Sequence, residues 1–160
     1  MGKTVSHICI LVKDIDKAIE DYTKIFGVTT PQLLERKVVR QERFAGKEKY
    51  ITAFFGATGD ACDIQLLQAP DHNSPLYQRL EKVGEGVHHI AISSEHLEDT
   101  YQQFCSKGVS VNDEIISERA IDNEMTDMRH FWVLPKYSHG VLIEIIDQYD
   151  VIDGMLTKTD

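Results

Sequence analysis

Four residues of this chain combine metal-ligating chemistry with surroundings that are otherwise apolar. His7 opens Ile8-Cys9-Ile10-Leu11-Val12, and Gln65 interrupts Ile64 and Leu66-Leu67. His89 precedes Ile90-Ala91-Ile92, and Glu144 lies between Val141-Leu142-Ile143 and Ile145-Ile146. Such runs read as strands buried on both faces. An ionised carboxylate inside one is costly unless it is paired, hydrogen-bonded or bound to a metal. Taken singly, Glu144 and Gln65 read as the solvent face of an edge strand, and His7 and His89 as structural histidines. Taken together, two imidazoles, an amide oxygen and a carboxylate suit one divalent ion: zinc, cobalt, manganese, nickel or iron.

An internal repeat is what brings them together. His7–Val28, HICILVKDIDKAIEDYTKIFGV, and His89–Val109, HIAISSEHLEDTYQQFCSKGV, both begin His-Ile-x-Ile, pass through a polar turn and an amphipathic helix, and reach Gly-Val. The offset is 82 residues (89 − 7), about half the chain. Each half places one ligand in its first strand and one in its last, at spacings of 58 (65 − 7) and 55 (144 − 89). Related by a pseudo-twofold axis, the four would converge at its centre. His88 neighbours His89, and in a regular strand it points to the opposite face.

The elements that must position them follow the same repeat. Ile15, Ala18, Ile19, Tyr22, Ile25 and Phe26 form one helical stripe, with Asp14 as N-cap and Gly27 as stop. Leu97, Tyr101, Phe104 and Cys105 form the second, with Ser94 as cap and Gly108 as stop. Strand-like segments follow at 35–40, 50–55 and 63–67, and again at 113–119, 128–134 and 141–146. Gly56–Asp60 and Pro135–Gly140 read as hairpin turns. The expected fold class is α+β: two βαβββ modules, about 5–68 and 86–148, in one domain spanning 1–160. A linker of about 69–85 holds a short helix near 76–83.

Composition narrows the function. A chain of 160 residues supports one ordinary domain. A formal net charge of −9 speaks against a general nucleic-acid binder, which needs Lys and Arg to neutralise phosphate, but not against a phosphorylated small molecule. No apolar run approaches the roughly 20 residues that cross a bilayer, and no signal-peptide pattern opens the chain, so no membrane association and a cytoplasmic location are expected. Cys9, Cys62 and Cys105 have no metal-knuckle spacing and read as buried free thiols.

Over residues 5–148 these features resemble the glyoxalase, bleomycin-resistance and dioxygenase superfamily, also called the vicinal oxygen chelate superfamily. Within it, the likeness is greatest to methylmalonyl-CoA epimerases. Gly84-Glu-Gly-Val-His-His-Ile-Ala91 is similar to their Gly-x-Gly-hydrophobic-His-His stretch, and Leu134-Pro135-Lys136 with Gly140-Val-Leu-Ile-Glu144 is similar to their His-Pro-Lys hairpin and final strand. The resemblance implies a curved, mostly antiparallel sheet around a metal held by His7, Gln65, His89 and Glu144. It also implies a metal-dependent isomerase that removes a proton next to a carbonyl, a small-molecule acyl-CoA substrate and possible homodimer formation.

Glu144 would then double as ligand and base, with Glu48 available for the second proton transfer. Lys136 and His139 would meet phosphates of the CoA tail. The chain departs from the epimerase pattern in four places. The hairpin containing Gly56 to Ala61 is longer than is typical. Ile51 or Thr52 stands where the second acid/base is expected, His130-Phe131-Trp132-Val133 is bulkier than usual, and residues 114–128 lack a Gly-rich stretch. The alternatives are another metal enzyme of the superfamily, either a glyoxalase I-type lyase or an iron-dependent extradiol dioxygenase, and a non-catalytic ligand-binding or antibiotic-resistance module.

Overall fold

The computed structural model describes residues 3–160. The first ligand strand, β1 (His7–Leu11), leads into helix α1 (Ile15–Thr29). Asp14 caps that helix by accepting from the Lys17 amide at 3.1 Å. The helix runs through Gly27, the expected stop, and ends at Thr30, whose amide reaches the Phe26 carbonyl. Gly27 keeps a helical conformation there, so it is a helix interior residue.

The segment 35–40, expected as a strand, is irregular and follows a 3-10 turn at Pro31–Leu34. Its Arg36 is committed to the far end of the chain, donating to Asp150 at 2.5 Å and to the Val151 carbonyl at 2.7 Å. Pairing begins only at β2 (Gln41–Ala45), followed by β3 (Glu48–Phe55) and β4 (Asp63–Gln68).

Helix α2 (Pro75–Val83) starts at Ser74, whose hydroxyl accepts from the Tyr77 amide, and connects the halves. The second half repeats the first: β5 (Gly86–Ser94), α3 (Leu97–Ser106), β6 (Ile116–Ala120), β7 (Met128–Val133) and β8 (Ile143–Asp147). His96, not Ser94, occupies the α3 N-cap position, while the Ser94 hydroxyl accepts from the His96 amide. A further hairpin, β9 (Tyr149–Ile152) and β10 (Met155–Lys158), closes the chain.

Eight strands close into a barrel in the order β1-β4-β3-β2-β6-β7-β8-β5. The halves join through equivalent strands: β1 pairs antiparallel with β5, and β2 with β6. A pseudo-twofold axis therefore passes through both seams. Helices α1 and α3 each cover the outside of their own half, against β3 and β4 and against β7 and β8. Phe55 packs under α1 with the Phe26 ring 5.1 Å away, and Phe131 packs under α3 with Tyr101 at 5.0 Å and Phe104 at 5.8 Å. Burying a side chain of this size contributes roughly 1.5–3 kcal/mol.

The barrel interior holds a separate cluster of Phe54, Met128, Ile146, Val151 and Leu156, which leaves room beside it for polar groups. Among the cysteines only Cys9 is buried. Cys62 is half-buried and Cys105 exposed, because Cys105 falls on the outer edge of the α3 stripe. No helix among the described residues is long and apolar enough to cross a membrane.

Candidate metal centre

Strand register decides which side chains enter the barrel. His7 and Gln65 come from the parallel pair β1 and β4, His89 and Glu144 from the parallel pair β5 and β8. All four are buried, and all four line one cavity of about 380 Å³. His7 Nε2 lies 3.1 Å from His89 Nε2, and Glu144 Oε2 lies 3.2 Å and 3.3 Å from those two nitrogens. A tetrahedral ion with bonds of about 2.0–2.1 Å separates its ligands by about 3.3 Å, and an octahedral one by about 3.0 Å. The observed edges fall in that interval.

The imidazole atoms turned away from this centre are engaged, whereas two of the oxygens turned toward it, Gln65 Oε1 and Glu144 Oε2, have no hydrogen bond. His7 Nδ1 meets the Tyr149 hydroxyl at 2.7 Å, and His89 Nδ1 meets His88 Nδ1 at 2.8 Å. With a proton on each Nδ1, both Nε2 lone pairs point at one another across 3.1 Å, an arrangement that repels unless a cation lies between them. Gln65 donates its amide nitrogen to Thr52 Oγ1 at 3.0 Å, which leaves Gln65 Oε1 buried and unpaired. Glu144 Oε2 is likewise buried without a properly directed hydrogen bond. Two orphaned oxygens and two facing imidazole nitrogens fit a divalent ion.

The electrostatics agree. Burial lowers the His89 pKa and keeps that ring neutral, as a ligand must be. Burial alone would raise the Glu144 carboxyl; where His89, His7 and His130 carry a proton toward it they hold it well below the usual carboxylate range, and with neutral rings a bound cation would supply that stabilisation in their place.

The expectation for His88 fails. Cys9 pairs with His89 and Ile10 with Val87, so His88 is an extra residue on β5. This β-bulge re-aims it, and both histidines line the cavity. Burial and the neighbouring His89 lower the His88 pKa to about 3, leaving a neutral ring able to accept from His89.

A second buried row continues around the wall. His130 Nδ1 is 2.5 Å from Glu118 Oε1 and 3.7 Å from Glu144 Oε1. Glu118 also takes the Tyr50 hydroxyl and lies 3.8 Å from Arg43 Nη2, and Arg43 pairs with Asp127. Sequence reading missed Glu118 and noticed His130 only as a bulky replacement. The available signal was a second acidic residue in a half-apolar strand, Ile116-Ser-Glu118.

The remaining sequence candidates lie away from the ligands. Glu48 lines the cavity but accepts from the Leu76 amide at 3.1 Å, at the start of α2. Phe54, six residues further along β3, is the residue opposite Gln65, which puts about 20 Å of strand between Glu48 and the ligand level. Lys136 and His139 are exposed in the hairpin after Leu134, and neither lines the cavity. Arg79, from α2, does line it.

A family model described as the Glyoxalase/Bleomycin resistance protein/Dioxygenase superfamily matches residues 6–126. The chain belongs to that superfamily. Among solved structures, methylmalonyl-CoA epimerase from Mycobacterium tuberculosis is 27% identical, with a TM-score of 0.69 over 91% of this chain and 87% of its own. A Streptomyces coelicolor methylmalonyl-CoA epimerase variant in complex with 2-nitronate-propionyl-CoA is 28% identical, with a TM-score of 0.66 over 91% and 97%. A lactoylglutathione lyase of Arabidopsis thaliana is 27% identical over 108 residues, which are 68% of this chain and 34% of that enzyme.

Proposed function

We propose that this protein is a metal-dependent isomerase of the methylmalonyl-CoA epimerase type, removing and returning a proton next to a thioester carbonyl. The observation that carries this reading is the convergence of His7, Gln65, His89 and Glu144 with unpaired ligand atoms in one cavity. The overlap with acyl-CoA epimerase structures supports the substrate class. A bound divalent ion would supply Lewis acidity toward the substrate's oxygens, opposing the negative charge that develops when the α-proton leaves.

The chain's own residues do the rest. Leu67, Ile116, Leu142 and Ile146 give the cavity apolar walls that exclude water. Glu144 Oε1, turned from the histidines toward His130, is the oxygen free to exchange a proton. Epimerisation needs a second exchanger. Glu118 takes that role in place of Glu48: it lines the same cavity, and ligand atoms of Glu118, His130 and Glu144 lie within 4.8 Å of one another. Arg79 at the cavity, and Lys136 and His139 beyond Leu134, are the cations offered to phosphates of a CoA tail.

The test is α-proton exchange in deuterated water with methylmalonyl-CoA and metal-loaded protein, read by mass spectrometry. Exchange is expected with the parent chain and is expected to be lost in Glu144→Gln and His89→Ala. Glu118→Gln is expected to retain exchange while losing interconversion of the two epimers. No exchange from a protein that holds one metal after dialysis would overturn the epimerase reading. The likeness to the lyase favours one second reading, action on lactoylglutathione, and turnover there would move the assignment to a lyase.

A further inference from the structure

The C-terminal hairpin lies beyond the residues matched by the family model. It also stands apart from the barrel, since β9 and β10 form their own two-stranded sheet. A lone hairpin of four-residue strands is marginal in water, so its place depends on what it touches. Arg36 grips Asp150 and the Val151 carbonyl, Gln41 donates to the Gly154 carbonyl at 2.8 Å, and Lys158 lies 3.2 Å from Asp147. Val151 and Leu156 join the interior apolar cluster, and Leu156 reaches the cavity wall. One contact stands out from this anchoring. The Tyr149 hydroxyl sits 2.7 Å from His7 Nδ1, and the rings of Tyr149, His7 and Phe54 form a triangle with centroids 5.8, 5.9 and 5.5 Å apart.

We propose that Tyr149 is a positioning residue for the metal, and that docking of the hairpin carrying it is thermodynamically coupled to metal occupancy. The inference rests on the metal-site reading above. His7 can present the Nε2 lone pair to a metal only with its proton on Nδ1, and the Tyr149 hydroxyl is the acceptor that fixes both tautomer and ring orientation. Tyr149 is itself fixed by packing against both His7 and Phe54, but only while the hairpin is docked. Linkage then works both ways: whatever factor docking adds to metal affinity, metal adds to docking.

The experiment compares the full chain with Tyr149→Phe and Leu156→Ala. Zinc affinity is measured by competition with a chromophoric chelator, ligand geometry by the absorption spectrum of the cobalt form, and docking by hydrogen exchange at residues 149–158. In Tyr149→Phe, zinc affinity is expected to fall about tenfold to a hundredfold, as for other groups that hold a metal-ligating histidine, with a shifted cobalt spectrum. Zinc is expected to slow hairpin exchange in the parent chain and to slow it less in this variant. Leu156→Ala keeps the hydroxyl but loosens the docking, and zinc affinity is expected to fall in step with faster hairpin exchange.

Zinc affinity within twofold of the parent in Tyr149→Phe would overturn the proposal, as would parent hairpin exchange indifferent to zinc. A parent chain that takes up no zinc at all would overturn the metal-site reading, and the coupling with it.

Discussion

The two halves of the barrel place equivalent residues at equivalent positions and give them opposite chemistry. Phe54 faces Gln65 across β3 and β4, and Trp132 faces Glu144 across β7 and β8. Two residues away along those strands, Thr52 matches His130. Opposite Tyr50 stands Arg43, and opposite Met128 stands Glu118. In the first half the ligand is an amide, and its neighbour Thr52 accepts a hydrogen bond from it. In the second half the ligand is a carboxylate, and its neighbour His130 can offer it a proton or positive charge. Each neighbour is thus matched to the electrical character of its ligand. In the proposed mechanism the anionic half also carries the acid/base groups, while the neutral half only holds its candidate ligand still.

The sharpest way to break this division is to remove the charge of the second half. Glu144→Gln leaves four neutral ligands around a divalent ion. Removing one partner of a buried charge pair costs about 3–5 kcal/mol, so metal affinity is expected to fall by a factor on the order of a hundred to a thousand or more. Metal content after dialysis, with chelator competition, measures it. The mirror change, Gln65→Glu, would put carboxylates in both halves. It is expected to tighten metal binding while slowing α-proton exchange, because the extra negative charge opposes charge building on the substrate.

Acid exposes the second half next. In the metal-free protein, the folded-state pKa of His88 is about 3 against an ordinary 6.5, so the unfolded chain binds its proton first. The stability this neutral histidine contributes is fully present above about pH 6.5 and drains away as pH falls toward 3. His89, also lowered, works in the same direction. Glu144, held below its usual range, contributes stability above about pH 4.5 that is lost as pH falls further.

His130 runs the other way. Burial opposes its protonation but Glu118 overcomes that, so its raised pKa gives stability below pH 6.5 that is lost as pH rises through the folded value. Thermal melts of chelated protein from pH 8 to 4 are expected to show a falling midpoint. In His88→Gln, that slope is expected to flatten between pH 6.5 and 4.

A smaller effect tests the first half. Thr52→Val deletes the acceptor that orients Gln65 and leaves the shape of the strand unchanged. Zinc affinity is expected to fall about tenfold, at the lower end of what such supporting contacts contribute. An unchanged affinity would show that packing alone holds the Gln65 side chain.

The four candidate ligands were legible because the repeat made them so: His-Ile-x-Ile occurs twice, and polar residues inside apolar runs demand a reason. What escaped notice depends on local deviations from regular geometry. His88 faces the cavity only because β5 carries a bulge, and a strict period of two sends it outward. Arg43 and Tyr50 face each other in the β2–β3 hairpin, but Glu118 reaches them from β6 across the seam between the halves, a meeting that no local pattern encodes. The hairpin at 149–158 did carry a strong local signal, Asp153-Gly154, with φ of 51° and 79°. It follows the repeat and has no counterpart in the first half, so the repeat does not point to it. The misplaced strand at 35–40 has the same origin, since Arg36 makes its contacts to that hairpin.

The Gly-Val that closes each copy of the repeat gives the finest comparison. In sequence, Gly27-Val28 and Gly108-Val109 look interchangeable as helix stops. In the fold they differ. Gly108 has φ +74°, where the Val109 amide reaches the Phe104 carbonyl at 3.0 Å and ends α3. Gly27 lies inside α1, where an added Cβ would meet only Leu34 Cδ1 at 3.7 Å, an ordinary contact. Gly27→Ala is therefore expected to stabilise the protein by up to about 1 kcal/mol, through helix propensity. Gly108→Ala is expected to destabilise it by about 1 kcal/mol, since an L side chain resists the left-handed region even with open space around it. Paired denaturation curves would show midpoints moving in opposite directions. A shift of the same sign in both would mean that the two copies end their helices alike.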